Sequence, residues 1–235
     1  MDKLKFSPMA NNGKLKKISS WSDNYIGYSL SLPSGYTCPS ASECLSKSDK
    51  LTGKISDGKN TLYRCFSAST ESMYKQTRNQ RWHNFELLRK LDKTSMAHLI
   101  ADSIPTNANL IRIHVGGDFF NQAYFDAWTT VAIYRDDITF YAYTKSLRYW
   151  VKQLGFVYMA DANYKLIASR GGTDDHLIDK YGLRSSVVVQ DYAQAQSLGL
   201  EIDYDERLAI TGNQDFALLL HGTQPKQINN MVGVA

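Results

Sequence analysis

Hydrophobic period switches repeatedly along this chain, and that switching restricts the fold more than any single residue does. Residues 25–32 alternate apolar and polar side chains with period two and stop at Pro33-Ser34-Gly35, as a strand does. Helical spacing follows over residues 71–91, through Trp82, Phe85, Leu88 and Leu91, with Ser69 or Thr70 as the expected cap, and again over residues 95–103. Strand patterns recur at 110–115, 138–143, 166–169, 185–190 and 216–220. Between them lie a helix capped by Asn121 with Tyr124, Ala127, Trp128 and Val131 on one face, a helix ending near Gly155, and one over 192–198. Strands separated by helices build βαβ units around a mostly parallel sheet. About six units are too few for a full eight-fold barrel, so the expected class is α/β with a partial (β/α) barrel.

Strand phase indicates what such a barrel would enclose. In 110–115, Ile111, Ile113 and Val115 share one side, and Arg112 and His114 the other. In 138–143, Ile138, Phe140 and Ala142 oppose Thr139, Tyr141 and Tyr143, with Lys145 just beyond. Successive side chains of a strand point to opposite faces, so the apolar faces are expected against helices and the polar ones around a lumen. The alternative, an antiparallel sheet with one face in water, fits poorly with the intervening helices.

With 235 residues, 43% of them hydrophobic, the chain can build one sizeable core. No apolar run approaches the roughly 18–20 residues of a membrane span, and the first twenty residues lack the apolar stretch of a secretory signal. No membrane contact and a cytoplasmic location are the expectation. Five of the 27 Lys and Arg residues and one of the 23 Asp and Glu residues fall within residues 1–20, so the rest of the chain carries 22 of each. Residues 1–24 read as a basic, polar amino-terminal arm, and residues 25–235 as a single domain with a cysteine-bearing loop at 36–67. A body built to hold duplex DNA would carry its own basic face, so nucleic acid is not an expected partner.

Three cysteines in a chain with no export signal do not suggest a disulfide framework. Cys38 and Cys44 stand in the loop after the first strand, and Cys65 stands just before the first long helix. Loops leaving the carboxyl ends of barrel strands hold the chemistry of such folds. Three thiolates suit an iron–sulfur cluster, with one iron left open, or zinc with His83 or His114 as fourth ligand. The plain alternative is three inert buried thiols. Gly116-Gly117-Asp118, after the second strand, would bring a backbone that a ligand can approach and a carboxylate to the same end. His114 and Lys145 are the candidate catalytic groups, as ligand or proton donor and as anion binder. Gly171-Gly172-Thr173 has no following Lys-Ser/Thr, so it does not read as a phosphate loop.

A cysteine loop after the first strand and a Gly-Gly-acid turn after the second resemble the radical S-adenosylmethionine (radical SAM) superfamily. The chain departs from that pattern in its distant third cysteine, and in Asp118 where the superfamily has Glu. More closely, Cys38-Pro-Ser-Ala-Ser-Glu-Cys44, Tyr63-Arg-Cys65-Phe, Arg81-Trp82, Arg112-Ile-His114-Val-Gly-Gly-Asp118-Phe, Tyr141-Ala-Tyr-Thr-Lys145-Ser and Leu218-Leu-Leu-His221-Gly resemble the phage family called gene product eighty-eight, over about residues 26–222. That family supplies no reaction. Together the resemblances imply a radical-SAM-like barrel with one [4Fe–4S] cluster on Cys38, Cys44 and Cys65. They also imply that Gly116, Gly117 and Asp118 would meet the amino group of S-adenosylmethionine if that cofactor is used. The expected function is a phage iron–sulfur protein in the host cytoplasm. Its open iron would take a small-molecule ligand in redox chemistry fed by an electron donor. Two alternatives stand beside it: a true radical SAM enzyme, and a zinc-stabilised module binding nucleic acid or protein.

Overall fold

The expected strands assemble side by side, in the order in which the chain makes them. The computed structural model describes residues 2–160, 162–222 and 224–225; residues 1, 161, 223 and 226–235 of the two expected segments lie outside the described residues. The chain begins with β1 (Ser7–Pro8) and β2 (Gly27–Leu30), then a small hairpin of β3 (Ser46–Ser48) and β4 (Ile55–Asp57). Three helices follow, α1 (Phe66–Met73), α2 (Lys75–Leu88) and α3 (Lys93–Ser103), and lead to β5 (Leu110–Ile113). After it come α4 (Gln122–Tyr134), β6 (Thr139–Thr144), α5 (Leu147–Trp150), α6 (Leu154–Met159) and β7 (Tyr164–Ser169). The remainder is α7 (His176–Tyr181), β8 (Ser185–Val189), α8 (Tyr192–Ser197), α9 (Arg207–Thr211) and β9 (Phe216–Leu219).

Seven strands form one sheet in the order β1-β2-β5-β6-β7-β8-β9. β1 runs antiparallel to β2, and every other neighbouring pair is parallel. Sheet order never reverses relative to chain order, so each crossover steps in the same direction. The sheet is open, with β1 and β9 as its edges among the described residues. The class is α/β with a mostly parallel sheet.

Local signals account for the helices. Asn121 caps α4, its side chain accepting from Tyr124 N at 2.8 Å, and Asp92 caps α3 by accepting from Ser95 N at 2.9 Å. The first long helix departs from expectation. It begins at Phe66, with Cys65 as its N-cap, and breaks at Tyr74, whose backbone is extended, before α2 resumes. Thr70 turns its hydroxyl back onto the carbonyl of Phe66 at 3.0 Å, so it sits inside a helix instead of starting one.

Register divides the sheet into two faces. Ile111 pairs with Tyr28 and Phe140, and Ile113 with Leu30 and Ala142. This layer packs on Ile100 of α3 and on Phe125 and Trp128 of α4 in the main core. The opposite face carries Arg112 beside Tyr141, but also Leu110, Ile167 and Phe216, so it is only partly polar. Its apolar portion is covered by Leu15 and Ile18 from a 3-10 turn (Leu15–Ser20) and by Ala209 and Ile210 of α9. Residues 2–24 are thus bound to the domain: β1 pairs with β2, and Leu15 and Ile18 are buried. Alternating lysines hid the apolar pair that holds this segment down.

Candidate functional site

At the carboxyl ends of β2, β5 and β6 the chain makes a series of tight turns, and the one after β2 carries Cys38 and Cys44. After β2, Gly35 adopts φ +72° and donates its N–H to Cys38 Sγ at 3.3 Å. The loop then bridges to Gly172 through Ala41 and passes Cys44. Cys65 enters from the far side of the β3–β4 hairpin, its N–H bonded to Ser46 Oγ at 3.2 Å, and sits at the start of α1. The expected irregular loop over 36–67 therefore contains a hairpin that returns the chain to the site. All three cysteines are free and partly buried.

Cys38, Cys44 and Cys65 line one cavity of about 180 Å³, and the same cavity is lined by His114, Gly116, Gly117, Asp118 and Lys145. The three cysteines, the Gly116–Asp118 turn, His114 and Lys145 are therefore in one place. His83 is not; its Nε2 meets the carbonyl of Lys3 at 2.9 Å on the outer surface. Tyr63 also lines the cavity and hydrogen-bonds Cys44; its place two residues before Cys65 was its only sequence signal.

Burial, Asp118 and the other two thiols push the Cys38 thiol well above its ordinary range. Cys65 is pushed up to about 11 by burial and Cys44, against the N–H groups of Ala68 and Ser67 and the charge of Arg81. Cys44 is raised by burial and Asp118, with Lys145 opposing. Thiols that resist ionisation are poor nucleophiles, so covalent thiolate catalysis is disfavoured. They are deprotonated when a cation displaces the proton, which is how metal ligands form.

The neighbours of the thiols have distinct tasks. Lys145 is buried, and its ammonium donates to Ser169 O at 3.2 Å, to Ser169 Oγ at 3.1 Å and to the carbonyl of Arg170. Among the described residues no carboxylate lies within ion-pair distance of it, so a buried positive charge faces the thiols without a counter-ion. Asp118 is buried and committed to its own fold, accepting from Thr144 Oγ1 at 2.6 Å, Phe119 N at 2.7 Å and Lys145 N at 2.9 Å. It clamps the β5 turn to the end of β6. The glycine pair makes room for protein as well. A Cβ on Gly116 would come within 2.1 Å of Ser67 Oγ and 2.5 Å of Arg81 Nη1, and one on Gly117 within 2.6 Å of Thr37 Oγ1 at φ +84°.

His114 holds φ +69°, a region a non-glycine residue rarely occupies. Its Nε2 lies 3.0 Å from the hydroxyl of Tyr124, and its Nδ1 is buried with no partner. Burial and Arg112 push its pKa down to about 3, so the ring is neutral near pH 7. A neutral imidazole with one free nitrogen can accept a hydrogen bond from a ligand, or donate one, according to tautomer.

Among the described residues, no group of three or more His, Cys, Asp or Glu side chains is arranged to share one metal ion. Tetrahedral zinc needs four ligands converging at about 2.0–2.3 Å. Thiolates of a four-iron cluster bind separate irons and need not converge on one point. At about 180 Å³ the cavity falls below the roughly 300–1,000 Å³ of organic-ligand pockets.

Comparison with known proteins agrees with the motif pattern. The Gene product 88 family model matches residues 3–232. The Gene 88 protein of Mycobacterium phage L5 is 30% identical over 131 residues, and that of Mycobacterium phage D29 is 32% identical over 131 residues. Each alignment covers 51% of this chain and 48% of the relative, so the chain spans about half the length of the curated relatives it matches. No solved structure matches. Among the described residues, no helix is long and apolar enough to cross a membrane.

Proposed function

The chain belongs to the gene product 88 family, whose membership fixes a lineage but no reaction, and we infer that it is an iron–sulfur protein with one [4Fe–4S] cluster on Cys38, Cys44 and Cys65. The observation that carries this reading is the convergence of three free thiols, two from the loop after β2 and one from the start of α1, on one small cavity, beside the uncompensated ammonium of Lys145. Such a cluster supplies electron transfer and one iron without a protein thiolate. The open, same-direction sheet supports reading the scaffold as a partial, radical-SAM-like barrel, with the thiols at the carboxyl ends of its strands.

The chain's own residues prepare the site. Gly35 N–H, and the N–H groups at the start of α1, solvate sulfur charge at Cys38 and Cys65. Lys145 supplies the positive charge that holds three thiolates together in a water-poor pocket. Asp118 fixes the β6 end so that Lys145 keeps its position. His114 offers its free Nδ1 to a small molecule bound beside the cysteines. The work we assign is redox or small-molecule chemistry at this site, with an external electron donor, in the cytoplasm of the infected host.

Iron, acid-labile sulfide and zinc are measured on protein purified without air, together with a visible spectrum. About four irons and four sulfides with broad absorbance near 400 nm are expected. About one zinc and no colour would overturn the reading in favour of a structural metal. If iron is found, incubation with S-adenosylmethionine and a reductant is expected to yield no 5′-deoxyadenosine, because the cavity is small for a nucleoside beside a cluster.

A further inference from the structure

A second cavity, of about 770 Å³, lies against the first and shares Arg112, Val115, Tyr143, Leu218 and His221 with it. This volume falls in the range of small-molecule sites. Its walls bring together segments that chain order keeps apart. Ser29 and Arg112 line it from the sheet, Thr77 and Arg81 from α2, and Lys14 and Lys17 from the amino-terminal segment.

The chemistry of those walls selects the ligand. Asp203 is the sole carboxylate among the lining residues, and it is occupied: it lies 4.0 Å from Lys14 and accepts the N–H groups of Asp205 and Ala209, each at 3.3 Å. Arg112 and Lys14 share Glu206, at 2.7 and 3.0 Å, and Arg81 holds Glu71 at 2.5 Å. These pairs use the terminal guanidinium nitrogens. The Nε atoms of Arg81 and Arg112 are buried with no hydrogen-bond partner, and Arg81 is only 5% exposed. A buried N–H without an acceptor carries a standing desolvation penalty. Lys17 adds a positive charge that no carboxylate among the described residues meets within 4.0 Å.

We propose that this cavity is a binding site for an anionic small molecule. Its oxyanion, a carboxylate or a phosphate, is received by Arg81, Arg112 and Lys17, with the amino-terminal segment as the outer wall. Arg112, Tyr143 and His221 line both cavities, so the anion site adjoins the cysteine pocket. The site does not depend on what the cysteines hold.

The full-length protein is titrated calorimetrically with inorganic phosphate and, separately, with succinate. Saturable one-to-one binding of at least one of them is expected, with a Kd near or below about 1 mM; the tighter of the two identifies the oxyanion. Lys17→Gln, on the surface, and Arg112→Gln are each expected to weaken binding about tenfold or more. Thr77→Trp fills the cavity without changing its charge and is expected to abolish binding. No saturable binding of either anion, or binding that Lys17→Gln and Thr77→Trp leave unchanged, overturns the proposal.

Discussion

At Gly116 a single missing carbon decides whether the cysteine site can close. The space where a side chain would begin is taken by Ser67 Oγ and Arg81 Nη1, both anchored near the start of α1. Gly116→Ala should therefore cost about 1–3 kcal/mol, as overpacking does, read as a lowered denaturation midpoint. Gly155→Ala is the control, since a Cβ there meets nothing within 4 Å, and it should be neutral or mildly stabilising. Equal losses in both variants would mean that the packing at Gly116 is unimportant. Cys65 carries a different test. As the N-cap of α1 it could be structural, and serine is a good cap. Cys65→Ser should thus keep the stability of the apoprotein while losing most bound iron, measured per chain after anaerobic purification. Full iron occupancy in that variant would remove Cys65 from the ligand set.

Among the elements, the amino-terminal segment shows where reading by pattern fails. Its five lysines dominate any local average, yet Leu15 and Ile18 are buried against Leu110, Tyr141 and Phe216 on the sheet. Two apolar residues three apart on a 3-10 turn give too short a pattern to register. The core strands were readable because their alternation or apolar runs span several residues, and α3 and α4 because their caps are local. The β3–β4 hairpin was not, because Ser46–Ser48 and Ile55–Asp57 lack the apolar alternation that marks a strand. At the site, the cysteines, the glycine turn, His114 and Lys145 could be named from sequence because each ends or follows a readable strand or carries rare chemistry. Asp118 and the glycines could be named, but their bonds to the protein itself could not, since those partners lie far away in sequence. The segment makes its own prediction. Leu15→Ala and Ile18→Ala should each destabilise by about 2–5 kcal/mol, while Lys16→Gln should stay within about 0.5 kcal/mol. Chemical denaturation of the three variants separates an apolar anchor from an electrostatic one.

On the scale of the whole molecule, one buried carboxylate joins parts that the sheet alone does not. Glu206, at the start of α9, accepts Arg112 of β5 at 2.7 Å, Lys14 of the amino-terminal segment at 3.0 Å and the Tyr143 hydroxyl of β6 at 3.2 Å. Burial alone would raise its pKa, but Arg112 and Lys14 outweigh burial and hold it below the ordinary carboxylate value. A carboxyl with a depressed folded-state pKa contributes stability that is present above the unfolded value, about 4.3, and lost as pH falls through the folded value. Glu206→Gln leaves Arg112 and Lys14 short of a counter-ion in a buried setting. It should lower stability at pH 7 by about 3–5 kcal/mol. The difference from the unmodified protein should then shrink as pH drops below about 4, because the native carboxyl is neutralised there as well. Urea denaturation of both proteins from pH 7 to pH 3 measures this. A constant difference across that range would mean that Glu206 acts through packing, and that its charge does not bind the amino-terminal segment, β5 and α9 into one unit.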